Sequence, residues 1–282
     1  MKTKITNLSD TSISELTRCF NESFSDYFVK FNATENYLAK RWKIGRVNFD
    51  LSFGYFVDDV LKGFIIHGID MRDGKLTAHN CATGIEPAYR GKGILGEIYQ
   101  VAIPALQDQN INFSTLEVIS KNKKAIRAYE KAGFTLRPTL LHCYSGQPTI
   151  NISQSENITI QKTNTPDFFF YKSCSDFEPT WEMTESALNI FPDEFEYHEI
   201  FLDNIKIGYL IFSPSTSLVQ QFAIHKEYRN IGFGKMMFKN LIQEHPSIRV
   251  NNVPETSANT VAFLNIIGMK NHIDQYEMER PL

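Results

Sequence analysis

The chain has 282 residues, of which 42% are hydrophobic and 22% are charged, a composition typical of globular proteins. Its formal net charge is −3 and no segment is dense in Lys and Arg, so we expect no nucleic-acid partner. Four widely spaced cysteines without a CxxC pair indicate neither a zinc site nor a disulfide framework, and we expect no metal. An apolar N-terminal segment and an 18-residue apolar run are both missing, which predicts a cytoplasmic protein without a membrane segment.

The first half of the chain predicts alternating strands and helices. Its strands are expected at residues 1–8, 51–57, 63–69, 76–85, 112–119 and 135–144. Its helices are expected from Asp10 or Ser12 toward Phe24, after Gly93, and from Asn122 to Gly133. Residues 72–75, with the sequence RDGK, read as a hairpin turn.

Aromatic side chains are frequent between two of these elements. Such a group belongs to a hydrophobic core more often than to a ligand site. A second interpretation is that it borders a ligand site. The group comprises Phe20, Phe24, Tyr27, Phe28, Phe31, Tyr37 and Trp42.

The most informative stretch is residues 83–95, TGIEPAYRGKGIL, which reads as a strand end, a turn and the start of a helix. Its glycines allow close approach of a ligand to the backbone, and the unpaired N–H groups of a helix start favour an anion. Arg90 and Lys92 add positive charge, so the turn is suited to phosphate or pyrophosphate. Neither the NTPase P-loop nor the dinucleotide fingerprint fits this glycine pattern.

The pattern repeats in the second half of the chain. Residues 146–156 are polar and read as a linker, after which strands are expected at 158–161, 194–202, 205–212 and 218–224. A second loop, residues 228–235, opens a helix at 236–242. We therefore expect two domains, 1–145 and 157–282.

Both loops resemble the Arg/Gln-x-x-Gly-x-Gly/Ala acyl-CoA loop of the GNAT superfamily of N-acyltransferases, at residues 90–94 and 229–234. The first loop departs from that pattern at Leu95. Downstream residues resemble the strand–helix motif of the superfamily, and in this stretch the likeness to ribosomal-protein alanine acetyltransferases is close. These residues are 116–118, Asn122, Ala125, Tyr129 and 133–134. The chain thus looks like a tandem GNAT protein, and the resemblance covers the second half of each repeat.

The resemblance implies an α/β (α+β) fold class with two tandem GNAT-like domains. Each would hold a mixed, mostly antiparallel twisted sheet flanked by helices, with a splayed parallel pair of strands forming the CoA slot. It also implies acetyl-CoA as donor, with pantetheine along the backbone of residues 83–85 and pyrophosphate on residues 90–95. The cofactor-binding residues implied are Thr83, Gly84, Ile85, Arg90, Gly91, Lys92, Gly93, Ile94, Leu95 and Asn122.

Amide formation requires a base for the amine and an acid for the leaving thiolate. Glu117 and Tyr129 are the candidates for these catalytic roles, 12 residues apart as in the family motif. Alternatively, Glu117 pairs with a lysine and Tyr129 packs its ring inward, and His79 is a second candidate base. The acceptor is expected to be the primary amine of a small molecule or peptide. If it binds beside the aromatic group, replacing Tyr27 or Trp42 by Ala should raise the acceptor KM.

The second half lacks both groups. With the offset of 135 that relates Gly133 to Gly268, Glu117 falls on Asn252 and Tyr129 on Leu264. We therefore expect catalysis in the first half and a degenerate second domain whose loop could still bind CoA, through Ile224, Arg229, Asn230, Gly232, Gly234 and Lys235. The alternatives are activity in the C-terminal domain, a non-enzymatic CoA-binding or scaffold protein, and a phosphate-ligand site unrelated to CoA. The oligomeric state stays open.

Overall fold

The computed structural model describes residues 2–27, 32–153 and 156–282. It divides into two compact units. The first comprises Met1–Pro138 and Tyr276–Leu282, and the second comprises Thr139–Gln275. These bounds differ from the expected domains 1–145 and 157–282, since residues 139–145 lie in the second unit and the last seven residues lie in the first.

The first unit begins with a strand and two helices and continues as a sheet. Its strands are β1 (Thr3–Asn7), β2 (Phe53–Val57), β3 (Val60–Arg72), β4 (Lys75–Ile85) and β5 (Phe113–Ile119). Its helices are α1 (Ile13–Ser23), α2 (Glu35–Ile44), α3 (Ile94–Asp108) and α4 (Lys123–Lys131). β6 (Thr135–Gly146) begins in this unit and continues into the second.

Local chemistry explains where several of these elements start and stop. The Ser12 hydroxyl accepts a hydrogen bond from the Glu15 N–H and caps α1, as the sequence predicts. Asp73 and Gly74 both have positive φ, which lets the two-residue turn between β3 and β4 match the twist of the strands. Asn122 caps α4, and Gly133 follows the end of that helix with φ +88°.

In the first unit β1 to β5 lie side by side in chain order. All of these neighbours are antiparallel except β4 and β5, which are parallel. The last strand of the chain, β12 (Lys270–Pro281), lies next to β5, and its residues from Tyr276 onward belong to this unit. Helices α3 and α4 contribute to one apolar cluster, and α1 and α2 to another.

The second unit repeats this plan. Its strands are the end of β6, β7 (Ile158–Thr163), β8 (Glu196–Leu202), β9 (Ile205–Ser213), β10 (Leu218–Ile224) and β11 (Ile248–Pro254), in the sheet order β6-β11-β10-β9-β8-β7. Its helices are α5 (Phe168–Cys174), α6 (Glu185–Leu188), α7 (Phe233–Glu244) and α8 (Ala258–Ile266). The pair β10–β11 is parallel. Mixed sheets flanked by helices confirm the predicted fold class.

Three helices that were not predicted lie in aromatic segments, and α8 was not predicted either. α2 begins inside the aromatic segment from Phe20 to Trp42 and ends just after it, and α5 and α6 lie in the corresponding segment of the second half. α2 is capped by the Thr34 hydroxyl, which accepts from the Tyr37 N–H. Within the described ranges, none of the helices has the length and apolar character needed to cross a membrane.

Candidate functional site

The parallel strands of the first unit separate partway along their length. Their ladder pairs residues 77–80 of β4 with residues 113–116 of β5 and ends at Asn80 and Leu116. Both strands continue, β4 to Ile85 and β5 to Ile119. The pairing of β4 with β3 shifts register at Cys81, which is the signature of a β-bulge and increases local twist. The predicted splayed slot is therefore present between residues 81–85 and 117–119.

The predicted backbone rail along this slot needs its glycine. Gly84 is buried, and a Cβ built on it would lie 2.6 Å from Cζ of Phe64, which is closer than packed atoms tolerate. Thr83 and Ile85 on either side are half-buried. A larger residue at position 84 would push β4 away from the core.

The loop after β4 ends in an open helix start. Gly91 and Gly93 have φ values of +74° and +84°, and Gly93 is the N-cap residue of α3. The first bond of α3 runs from the Glu97 N–H to the Gly93 carbonyl, and no side chain caps this end. The backbone N–H groups of residues 94–96 therefore have no partner within the helix. They lie at the positive end of the helix dipole and are suited to bind a phosphate group. The side chains of Ile94 and Leu95 are buried.

The Arg90 side chain is engaged in contacts within the protein. Its guanidinium donates two hydrogen bonds to Asp26, at 2.7 and 2.9 Å, one to the Ser23 carbonyl and one to the Ile85 carbonyl. The guanidinium holds the pKa of the Asp26 carboxyl below its usual range. Its charge is therefore compensated, and Arg90 ties the loop to the end of α1. The Lys92 ammonium lies 5.1 Å from the Tyr89 ring centroid.

Tyr129 of α4 reaches the separation point of the strands. Its side chain is 8% exposed and lies against Phe134. Burial raises the pKa of Tyr129 to about 12, while hydrogen bonds from Thr83 and Asn80 act in the opposite direction. The phenol is thus protonated at neutral pH and lies beside the β4 rail, as an acid at this position requires.

The remaining predicted residues surround the same region. Glu117 is half-buried on β5, one residue beyond the last ladder pair. The Asn122 side chain accepts from the Ala125 N–H at 3.2 Å and also hydrogen-bonds Tyr27. His79, the second candidate base, is buried inside the ladder with Nδ1 2.9 Å from the Thr115 hydroxyl, and burial holds its pKa well below its usual value. That location is structural rather than catalytic.

The aromatic segment divides between core and site. Trp42 is 3% exposed in a core cluster and cannot contact an acceptor, so the predicted effect on acceptor KM is withdrawn for this residue. Tyr27 is half-buried beside Asn122, and that prediction stays for Tyr27. Phe28 and Phe31 lie outside the described residues.

The second unit has the same splay and the same loop. Its parallel ladder ends at Val219 and Val250, with a register shift at Gln220, and Gly232 is the N-cap residue of α7 with φ +103°. Arg229 donates to both oxygens of Asp176 and to the carbonyls of Cys174 and Ile224, which repeats the contacts of Arg90. A cavity of about 410 Å³ lies here. All six residues expected of the second loop line it: Ile224, Arg229, Asn230, Gly232, Gly234 and Lys235.

The chemical groups at the second splay differ. Because Leu116 and Val250 occupy the same ladder position, Glu117 corresponds to Asn251 and not to Asn252 as the fixed offset suggested. Asn252, with φ +58°, is an extra residue in a bulge of β11, where the register against β6 shifts. Leu264 is fully buried in the core. The absence of a Glu–Tyr pair at these positions therefore holds under the corrected register.

One cluster outside the splays brings metal-type ligands together. Glu196, Glu244 and His245 place one ligand atom each within 4.8 Å of one another. The Lys162 ammonium already lies 3.0 Å from Glu196 and 3.1 Å from Glu244. We interpret this cluster as an ion-pair group on the surface of the second unit.

Comparisons with known proteins agree with this geometry. Residues 15–134 match the family model described as acetyltransferase (GNAT) family. A tandem GNAT protein from the clavulanic acid biosynthesis pathway is 11% identical, with a TM-score of 0.76 over 99% of this chain and 98% of that chain. A GCN5-related N-acetyltransferase from Sphaerobacter thermophilus is 11% identical, with a TM-score of 0.73 over 99% and 95% of the two chains.

A third similar structure is a GCN5-related glucosamine N-acetyltransferase region of a fungal multi-domain β-N-acetylglucosaminidase. It is 15% identical, with a TM-score of 0.73, and the match covers 98% of this chain and 38% of that chain. A search of curated proteins finds no significant match. Identities this low show the fold alone, whereas the family model matches the sequence of residues 15–134. Residues 15–134 thus match the acetyltransferase (GNAT) family model, and the chain has the fold of the tandem GNAT protein to which it is similar.

Proposed function

We propose that the protein transfers an acetyl group from acetyl-CoA to the primary amine of a small molecule or peptide, by direct attack in a ternary complex, and that the first unit is the catalytic domain. The observation that carries this proposal is the buried, protonated Tyr129 beside the slot between β4 and β5. The two glycines of the loop and the uncapped start of α3 fit the pyrophosphate of such a donor. When bound, acetyl-CoA supplies an activated thioester carbonyl.

The residues of the first unit would then divide the proton chemistry between them. A primary ammonium with a pKa of about 10.4 must lose a proton, which corresponds to about 4–5 kcal/mol at pH 7. Glu117, on β5 at the edge of the slot, would accept this proton directly or through water. The nitrogen forms its bond to the acyl carbon as the carbon–sulfur bond breaks, its second proton passes to water, and Tyr129 would give its proton to the sulfur. A backbone N–H near Ile85 would donate to the developing oxyanion.

The direct test is an amine screen with purified full-length protein, acetyl-CoA and detection of the acetylated product by mass. The panel should include glucosamine, the amine named for one structural neighbour. We expect Tyr129→Phe to lower kcat by about 10² while acetyl-CoA binding is retained, because only the proton donor is lost. An unchanged kcat would remove Tyr129 from the mechanism.

A second candidate places activity in the C-terminal unit, and the 410 Å³ cavity favours it. Two phenols, Tyr209 and Tyr228, line the cavity, and burial raises the pKa of Tyr209 to about 12. Its hydroxyl is hydrogen-bonded to Ser175 and Gln221. Tyr209→Phe is therefore the matched comparison: loss of turnover in this variant, with Tyr129→Phe active, would move catalysis to the second unit.

A further inference from the structure

The cavity of the second unit is lined by amide side chains at the point where β10 and β11 separate. The next two residues of each strand after the parallel ladder all line the cavity: Gln220, Gln221, Asn251 and Asn252. By the ladder register, Gln220 and Asn251 occupy the positions of Cys81 and Glu117 in the first unit. Two neutral amides therefore lie where the first unit has a thiol and the proposed base.

The other two amides are engaged within the protein. Gln221 Nε2 donates to the Met183 carbonyl at 2.6 Å, and its Oε1 accepts from the Tyr209 hydroxyl at 3.2 Å. Asn252 Nδ2 donates to the Thr180 hydroxyl at 2.8 Å. These bonds hold the two side chains in place, so recognition of a ligand falls to their neighbours.

Gln220 and Asn251 are available for that recognition. Neither side chain forms a hydrogen bond with any residue that the structure describes, although both are half-buried. Each has an oxygen that accepts and an NH₂ group that donates. A secondary amide carries the complementary pair, one N–H and one C=O, so these two side chains match a ligand that contains an amide.

The charges around the cavity disfavour a free amine. Asp176 is the only acid among the described residues that line it, and both of its carboxylate oxygens accept from Arg229, at 2.7 and 2.9 Å. The remaining charged residue of the lining, Lys235, is itself a cation. An ammonium that enters would lose water without gaining a carboxylate partner, which is unfavourable. Acylation removes this obstacle, because an amide nitrogen carries no charge at neutral pH.

The walls of the cavity suit the apolar part of such a ligand. Phe222 and Phe263 both line it, with ring centroids 5.9 Å apart, and the exposed Ile266 lines it from the end of α8. α8 has no charged residue, whereas α4, its counterpart in the first unit, carries four basic residues. This contrast favours a neutral ligand over one that carries several phosphate groups.

We infer that the cavity of the second unit binds a neutral N-acylated amine, with its amide on Gln220 and Asn251 and its apolar part against Phe222 and Phe263. A volume of about 410 Å³ is within the range of small-molecule sites. The ligand is of the same chemical class as the product of the proposed transfer, and its identification as that product rests on the proposed function. Binding itself requires no reaction in either unit.

The test compares acetamides with their parent amines, with benzylamine, phenethylamine and hexylamine as the probes at neutral pH and the full-length protein as receptor. Methyl-labelled methionine gives a reporter in each unit. Met183 lines the cavity, and its resonance is assigned by its loss in Met183→Leu. Met278 belongs to the apolar cluster of Tyr129 in the first unit. We expect the acetamides to move the Met183 resonance with Kd values at least about 10-fold lower than those of the parent amines.

Two variants test the amide side chains, and a third is the matched control. Asn251→Asp exchanges the amide for a carboxylate with little change in shape, so it should weaken acetamide binding about 10-fold and make the parent amines the tighter ligands. Gln220→Met removes the hydrogen-bonding groups and should also weaken acetamide binding about 10-fold. Asn265→Asp adds the same charge at an exposed position of α8 that does not line the cavity, and should change either affinity less than about 2-fold.

The outcomes separate this inference from the proposed function. Acetamides that leave Met183 unmoved, or that bind no more tightly than the amines, would overturn the inference. Displacement of the acetamides by acetyl-CoA would also overturn it, because the cavity would then be a donor site. If acetamides bind but no amine is acetylated, the proposed function fails and the binding site stands. If amines are acetylated and acetamides move only Met278, the proposed function stands and the inference is wrong.

Discussion

The last seven residues of the chain complete the first unit, and replacing one buried side chain among them tests this assignment. Met278 is fully buried in the apolar cluster that also contains Tyr129. Its neighbour Glu277 pairs with Arg72 and with Arg137, and Glu279 pairs with Arg137 at 2.8 Å. All of these residues belong to the first unit. We expect Met278→Ala to destabilise the first unit and to leave the second unit unchanged.

The magnitude follows from the burial. Truncation of a fully buried methionine to alanine costs about 2–5 kcal/mol, because the lost contacts leave a cavity that refills only in part. For a unit of this size the urea m-value is about 2 kcal/mol/M, so the unfolding midpoint should fall by about 1–2.5 M. Such a shift is well outside the error of a denaturation curve.

The chain provides a separate reporter for each unit. It has two tryptophans, Trp42 in the first unit and Trp181 in the second, and both are buried. Fluorescence in a Trp181→Phe background therefore follows the first unit, and fluorescence in a Trp42→Phe background follows the second. The matched control is Met269→Ala, since Met269 is 2% exposed in the core of the second unit, nine positions earlier in the chain.

The two methionine variants should move opposite reporters. We expect Met278→Ala to lower the midpoint reported by Trp42, and Met269→Ala to lower the midpoint reported by Trp181. A larger effect of Met278→Ala on Trp181 than on Trp42 would refute the assignment of the C-terminal residues to the first unit.

Three further predictions concern the loops and the titrating groups. Replacing Arg90 by Met should weaken acetyl-CoA binding roughly 10-fold, measured by calorimetry, and abolish turnover in the transfer assay. The same change at Arg229 should leave turnover unchanged. Because the pKa of Tyr129 is raised to about 12, kcat/KM for the amine should rise with pH without a descending limb below about pH 10. Burial lowers the pKa of His67 from 6.5 to about 4. As the pH falls through this range the unfolded state binds a proton that the folded state does not, so the free energy of unfolding should fall by up to about 3 kcal/mol. Urea titrations of His67→Gln should show a smaller decrease.

Sequence reasoning succeeded where the signal was local. The Ser12 and Asn122 caps, the turn at residues 72–75 and the glycine after α4 each depend on a few neighbouring residues, and the structure has all four. The loops were also found, since positive φ at Gly93 and Gly232 demands a residue type that is visible in the sequence.

Features that depend on distant residues could not be predicted. Asp26 and Arg90 are 64 positions apart, and only the fold brings the carboxylate to the guanidinium that we had expected at a phosphate. No local sequence signal predicts that the last seven residues belong to the first unit either. The extra residue at Asn252 shifts the repeat by one position, which a fixed offset between two glycines cannot detect.

The two units show that the shape of the slot and the proton chemistry are specified by different residues. Three features occur in both units: an arginine–aspartate ion pair at Arg90 and Arg229, a helix whose N-cap residue is glycine, and a strand with a β-bulge. These features depend on backbone geometry and need no acid or base. The first splay has the pair Glu117 and Tyr129, whereas Asn251 and Leu264 occupy the corresponding positions at the second splay. A cavity is thus evidence for binding, whereas turnover requires a group that can move a proton, and for that reason we propose that turnover occurs at Tyr129.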